Sequence, residues 1–203
     1  PLTVTKVATH SWEVDLPAAG AFSLTYAYYA DQTDAGGSFF DADHIYVNPI
    51  NLALYQEETL EAPCDLRLEL PDGFHVAGLA GEGPVYTLPD FHALVDGPFF
   101  AATEFLHREI DLEGIPVHLW CMGPGRPDLD RLAADVKRYS LAQLRLFGHF
   151  PQPEYHYLYL LLPHRFRHGV EHPYSTVITL GPGHRLHEPA LYSSLLEISS
   201  HEF

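Results

Sequence analysis

Large apolar residues alternate with small ones through Phe22-Ser23-Leu24-Thr25-Tyr26-Ala27-Tyr28, the period of a strand with one buried face. Leu66, Leu68 and Leu70 repeat the alternation, as do Ile115, Val117, Leu119 and Cys121. Between Phe105 and Trp120, the Glu113-Gly114 step separates two alternating runs and predicts a hairpin. Turn residues recur at Asp72-Gly73, Gly81-Glu82-Gly83-Pro84 and Asp96-Gly97-Pro98. Many short strands with regular turns predict an antiparallel, β-sandwich-like domain over residues 1–124.

The pattern changes after Gly123-Pro124-Gly125-Arg126-Pro127, the strongest candidate boundary in the chain. Asp128 is placed to cap a helix whose apolar residues are Leu129, Leu132, Ala133, Val136, Leu144 and Phe147, with Gly148 at its end. Tyr155 to Leu162 is rich in strand formers and suits the centre of a sheet. A second extended run, Tyr174 to Leu180, follows a glycine-containing turn, and Leu191, Leu195, Leu196 and Ile198 predict a last helix. Residues 125–203 therefore read as helix, strand, strand, helix, so the chain is mainly β with a smaller α+β part.

Composition narrows the choice of partners. Hydrophobic residues make up 46% of the 203, enough for a real core. Lys plus Arg number 11 against 27 Asp plus Glu, a formal charge of −16, which disfavours nucleic acid and anionic membranes. Cys64 and Cys121 lie far apart in no metal or redox spacing and imply no disulfide framework. The longest apolar stretches, such as Tyr157 to Pro163, fall short of the roughly 18 residues a membrane span needs. The start has no signal-peptide layout, which slightly favours a cytoplasmic setting, although a beginning without Met in a strand-like pattern reads as a cut. The sequence sets no oligomeric state.

Two segments offer chemistry. The chain ends at Ser199-Ser200-His201-Glu202-Phe203, the first half of an H-E-x-x-H pattern. In that pattern two histidines one helical turn apart reach one zinc, and the glutamate between them takes a proton from the attacking water. The tripeptide alone is weak evidence; a buried helix leading into it adds weight. The second segment is His168-Gly169-Val170-Glu171-His172-Pro173-Tyr174-Ser175-Thr176. Gly169 and Glu171 on an exposed strand could hold an extended peptide by β-addition, with Glu171 pairing to its free α-amino group. The plain alternative is that Glu171 is a solvated surface carboxylate. His164, His168 and His172 are four apart, but Gly169 and Pro173 argue against the helix that would align them for a metal. Surface or hydrogen-bonding roles suit most of the 14 histidines better.

Taken together, these stretches resemble the glycyl aminopeptidase family, thermolysin-like zinc metallopeptidases that often carry a C-terminal PDZ domain. The matching residues are Leu146-Phe147-Gly148-His149-Phe150-Pro151, the tyrosine-rich strand, Gly169-Val170-Glu171-His172-Pro173-Tyr174-Ser175-Thr176 and Ser200-His201-Glu202-Phe203. Upstream, Leu94-Val95-Asp96-Gly97-Pro98-Phe99, Val47-Asn48-Pro49 and Lys6 through Trp12 look like the family's N-terminal domain, so the resemblance covers nearly the whole chain. It implies that His201 is the first zinc ligand, Glu202 the general base and Glu171 the carboxylate that recognises the substrate amine. It also implies that residues 125–203 open a thermolysin-like catalytic domain, and that the domain over 1–124 lacks its first strands.

Two departures are mild: His168 stands where a second glycine is usual and Val170 where leucine is usual. A larger one is that the second zinc histidine and the downstream glutamate ligand are not in the chain. The expectation is therefore a fragment of a zinc aminopeptidase, inactive alone and without tightly bound zinc, whose full-length form cleaves peptides. The rival expectations are a non-catalytic β-sandwich binding module that uses the aromatics of Phe22 to Tyr29 and Phe99-Phe100, or a degenerate scaffold homologue. Core packing is the favoured explanation of those aromatics, given their alternation.

Overall fold

The computed structural model describes residues 2–18, 20–81 and 83–203; Pro1 of the strand-like start and Glu82 of the predicted turn lie outside the described residues. The chain is mainly β, with several antiparallel sheets, and a mixed sheet with helices near its C-terminus.

In the first half, β1 (Thr3–Ala8) and β2 (Ser11–Asp15) form an antiparallel ribbon. Strands β3 (Phe39–Phe40), β4 (His44–Val47), β6 (His75–Ala77) and β8 (Phe99–Ala102) form a four-stranded sheet in the order β3-β4-β8-β6. Strand β5 (Cys64–Arg67) pairs with β7 (Val85–Leu88), and the short helix α1 (Phe91–Val95) leads into β8. Asp90 caps α1 by accepting from the Ala93 N–H at 2.7 Å.

The second sheet has five strands in the order β12-β13-β11-β10-β9. Strands β9 (Leu106–Leu112) and β10 (Ile115–Met122) form the predicted hairpin, turning at Glu113 and Gly114 with positive φ at both. Next, β10 runs parallel to β11 (Tyr155–Leu161), a connection that needs a long crossover. Helix α2 (Leu129–Phe147) supplies it. Its ends match expectation: Asp128 accepts from the Arg131 N–H at 3.0 Å, and Gly148 closes the helix in the left-handed region. Strand β11 sits at the centre of the sheet and is buried along its whole length. Two further strands, β12 (Phe166–Glu171) and β13 (Ser175–Gly181), and the helix α3 (Pro189–His201) complete the chain.

The alternating faces of β11 explain the packing. Tyr155, Tyr157, Tyr159 and Leu161 point to one side, where Leu132 and Val136 of α2 and Leu195 and Ile198 of α3 bury them. Leu158 and Leu160 point to the other side and meet Tyr46, Ala77, Phe100 and Ala102 of the four-stranded sheet. The sheet draws β9 and β10 from before residue 124 and β11 to β13 from after it, so the Gly123–Pro127 punctuation marks the exit from β10 into α2.

Four expectations need correction. Phe22 to Tyr28 forms no paired strand, and the aromatics there are not core: Phe22 is 37% exposed and Tyr29 86%. Alternation fixes a buried face only when a neighbouring strand supplies ladder partners, and adjacent β3 is only two residues long. Phe99 and Phe100 are the reverse, buried in β8 and unavailable as a contact surface. Between the two strands read after α2 lies a third, β12, so the order is helix, strand, strand, strand, helix. Phe147 also leaves the buried stripe of α2 and is 74% exposed.

Candidate active site

Strand β12 is an edge of the five-stranded sheet, paired only to β13 through Glu171↔Thr176 and its neighbours. Among the described residues its other side has no ladder partner, the arrangement of a strand edge that can take an added strand. Odd-numbered residues of β12 face α3: Arg167 approaches Glu197 at 4.0 Å, and Gly169 lies beneath Glu202. A Cβ at residue 169 would fall 2.5 Å from Glu202 Oε1 and 2.7 Å from its Cγ. A methyl group at 169 would displace that carboxyl from its present place on the strand.

Glu202 follows the last turn of α3, where helix carbonyls lack intrahelical partners. Side chains from other elements supply them. Gln143 of α2 donates to the Ser200 carbonyl at 2.9 Å, and the Tyr155 hydroxyl donates to the Glu202 carbonyl at 3.3 Å. Phe203 anchors the same end, its ring stacked on Phe150 at 5.4 Å and edge-on to Tyr155 at 5.1 Å.

The electrostatics follow from this crowding. Burial pushes the Glu202 carboxyl up; the adjacent Glu171 carboxylate adds to the rise, and the His201 and His168 imidazoles oppose it. Burial, helped by the charges of Glu202 and Glu171, also pushes the Tyr155 phenol up. A half-buried carboxyl beside a second carboxylate suits a group that exchanges protons. Glu171 and His201 are exposed, so both are open to a ligand.

The structure thus brings together Gly169, Glu171 and Glu202, with His201 on the adjoining turn. Sequence reasoning missed Gln143, Tyr155, Phe150 and Phe203, which hold that turn; only the aromatic density around them hinted at it. Histidines of the second segment make hydrogen bonds, His168 Nδ1 accepting from the Ala35 N–H at 3.2 Å and His172 Nδ1 meeting Asp96 at 2.6 Å. Among the described residues, no group of three or more His, Cys, Asp or Glu side chains could hold a metal ion. A catalytic zinc takes three protein ligands, and His201 offers one, so the residues present do not complete a zinc site.

The chain superimposes over its full length on an aminopeptidase N family protein from Idiomarina loihiensis, with a TM-score of 0.84 at 22% identity. At that identity the likeness establishes the fold, and the chain spans 36% of the length of that protein. No curated protein matches the chain. Residues 1–103, ending just after β8, match the Peptidase M61 N-terminal domain. The chain therefore belongs to the M61 peptidase family, the glycyl aminopeptidases, through its N-terminal domain.

Proposed function

We propose that this chain is part of a zinc-dependent aminopeptidase that removes N-terminal residues from peptides, with residues 125–203 opening a thermolysin-like catalytic domain. The observation that carries the reading is the fit of the Glu202 carboxyl on Gly169, which sets it beside Glu171 at an open sheet edge. A peptide added along β12 would present its backbone to the strand and its terminal ammonium to Glu171. Glu202, with its raised affinity for a proton, would accept one from the attacking water and return it to the leaving amine. His201 would be one metal donor, and the remaining donors would come from a longer protein. The test compares that zinc-loaded longer protein with the isolated 203-residue chain on a peptide amide with a free N-terminus. Cleavage by the first alone is expected; robust, chelator-sensitive cleavage by the isolated chain would overturn the assignment of an incomplete site.

One observation favours a second reading, a non-catalytic binding or scaffold module. Phe22, Leu24, Tyr26, Tyr28 and Tyr29 are all exposed. An encoded protein that stops at Phe203 would favour that role, and one that continues into a second histidine and a glutamate ligand would favour the enzyme.

A further inference from the structure

We propose that Asp96 and His172 are a positioning pair that fixes Glu171 at the distance needed to take a peptide's free amino group. This deepens the aminopeptidase reading and rests on its assignment of Glu171. His172 follows Glu171 directly, and its Nδ1 lies 2.6 Å from Asp96 Oδ1. The ring is 6% exposed, whereas the Asp96 side chain is 47% exposed. Asp96 is itself held, as the C-terminal cap of α1, by its N–H bond to the His92 carbonyl at 3.0 Å. A short bond from Nδ1–H to a carboxylate is a strong, directional contact, and it joins the M61 N-terminal domain to the substrate edge.

The main chain on both sides of Glu171 is pinned as well. The Thr176 hydroxyl donates to the Val170 carbonyl at 3.1 Å, and the His172 N–H donates to the Ser175 carbonyl at 2.8 Å. Glu171 itself stays exposed on this fixed frame. An amine-binding carboxylate selects a terminus only if its distance to the reacting centre is constant, because a slip of one residue moves it about 3.3 Å. His172 Nε2 adds a second argument: it is buried with no hydrogen-bond partner among the described residues. An apolar side chain would fill that space without an unpaired nitrogen, so the feature that calls for histidine is the Nδ1–H bond to Asp96.

The test uses the zinc-loaded longer protein with Glu202→Gln in the background, so that peptides bind without being cut. Calorimetry compares a glycine-terminated tripeptide amide with its N-acetylated form. His172→Gln and Asp96→Ala are expected to weaken the free-amine peptide about tenfold or more and to leave the acetylated one unchanged. His172→Asn, which keeps a donor at the Nδ1 position, is expected to retain free-amine binding. If Asp96→Ala loses its cooperative melt, Asp96→Leu, similar in size and without an acceptor, takes its place with the same expectation. Equal losses for both peptides, or no loss, would overturn the pair's role while Glu171→Gln still abolished the preference. No effect of Glu171→Gln would remove the amine-binding assignment and this inference with it.

Discussion

The Glu202 carboxyl rests directly on Gly169: a Cβ at residue 169 would sit within 2.8 Å of the Oε1, Cγ and Cδ atoms of Glu202. Cδ and Oε1 end a flexible side chain, but Cγ lies only one bond from Cβ, so the Glu202 side chain must leave its present rotamer to admit a methyl group at 169. Gly169→Ala is therefore expected to destabilise the chain by about 1–3 kcal/mol, read as a lowered denaturation midpoint. An alanine variant as stable as the parent would show that Glu202 is free to leave the strand.

Tyr155 and Gln143 satisfy carbonyls at the end of α3, at Glu202 and Ser200. Tyr155→Phe keeps the ring packing and removes only the hydroxyl, so a loss of about 1 kcal/mol is expected, together with faster amide exchange at residues 199–203. Unchanged exchange there would mean that the tyrosine hydroxyl does not hold the turn.

Histidine burial makes the fold sensitive to acid. Burial first, then the nearby His118 and His107 rings, holds His156 down at about 3 against an ordinary 6.5. Its Nδ1 accepts from Trp120 Nε1–H at 3.2 Å, and a proton there would set donor against donor. Glu154, at 3.7 Å from Nε2, is the facing carboxylate, and Glu109 lies 3.8 Å from His118. Below pH 6.5 the unfolded chain gains a proton that the folded chain refuses until about pH 3, so stability falls as pH falls through that window. The loss is on the order of a few kcal/mol across it. Denaturant melts at pH 7 and pH 4.5 should show a smaller drop for His156→Asn than for the parent.

The thiols differ in access. Cys121 is fully buried in β10, and burial pushes its thiol up to about 12, while Cys64 is only partly buried. Iodoacetamide at pH 8 should label Cys64 in the native chain and Cys121 only after unfolding, as read by mass spectrometry.

Local features were legible in the sequence because each is set by adjacent residues. Asp128 and Gly148 bound α2, Glu113-Gly114 turns the β9–β10 hairpin, and the tyrosine-rich run became the buried central strand. Gly169 and Glu171 stand out as a glycine and a carboxylate on an exposed strand, His201 and Glu202 as half a motif, and their roles come from the family resemblance; the structure brings Gly169, Glu171 and Glu202 together. Phe22 to Tyr28 misled because alternation does not specify whether a partner strand exists. The contacts that fix the site were invisible for another reason. Asp96 and His172 are 76 residues apart, and Tyr155 and Glu202 are 47 apart, so only the tertiary fold reveals them.

The proposed function makes Glu202, lying on Gly169 beside Glu171, the proton-accepting group of an aminopeptidase. Its most direct test is turnover of a free-amine peptide amide by the zinc-loaded longer protein and by its Glu202→Gln variant. Loss of kcat by about 10²-fold or more, with peptide binding retained, is the predicted result. A Glu202→Gln enzyme that turns over as fast as the parent would contradict it.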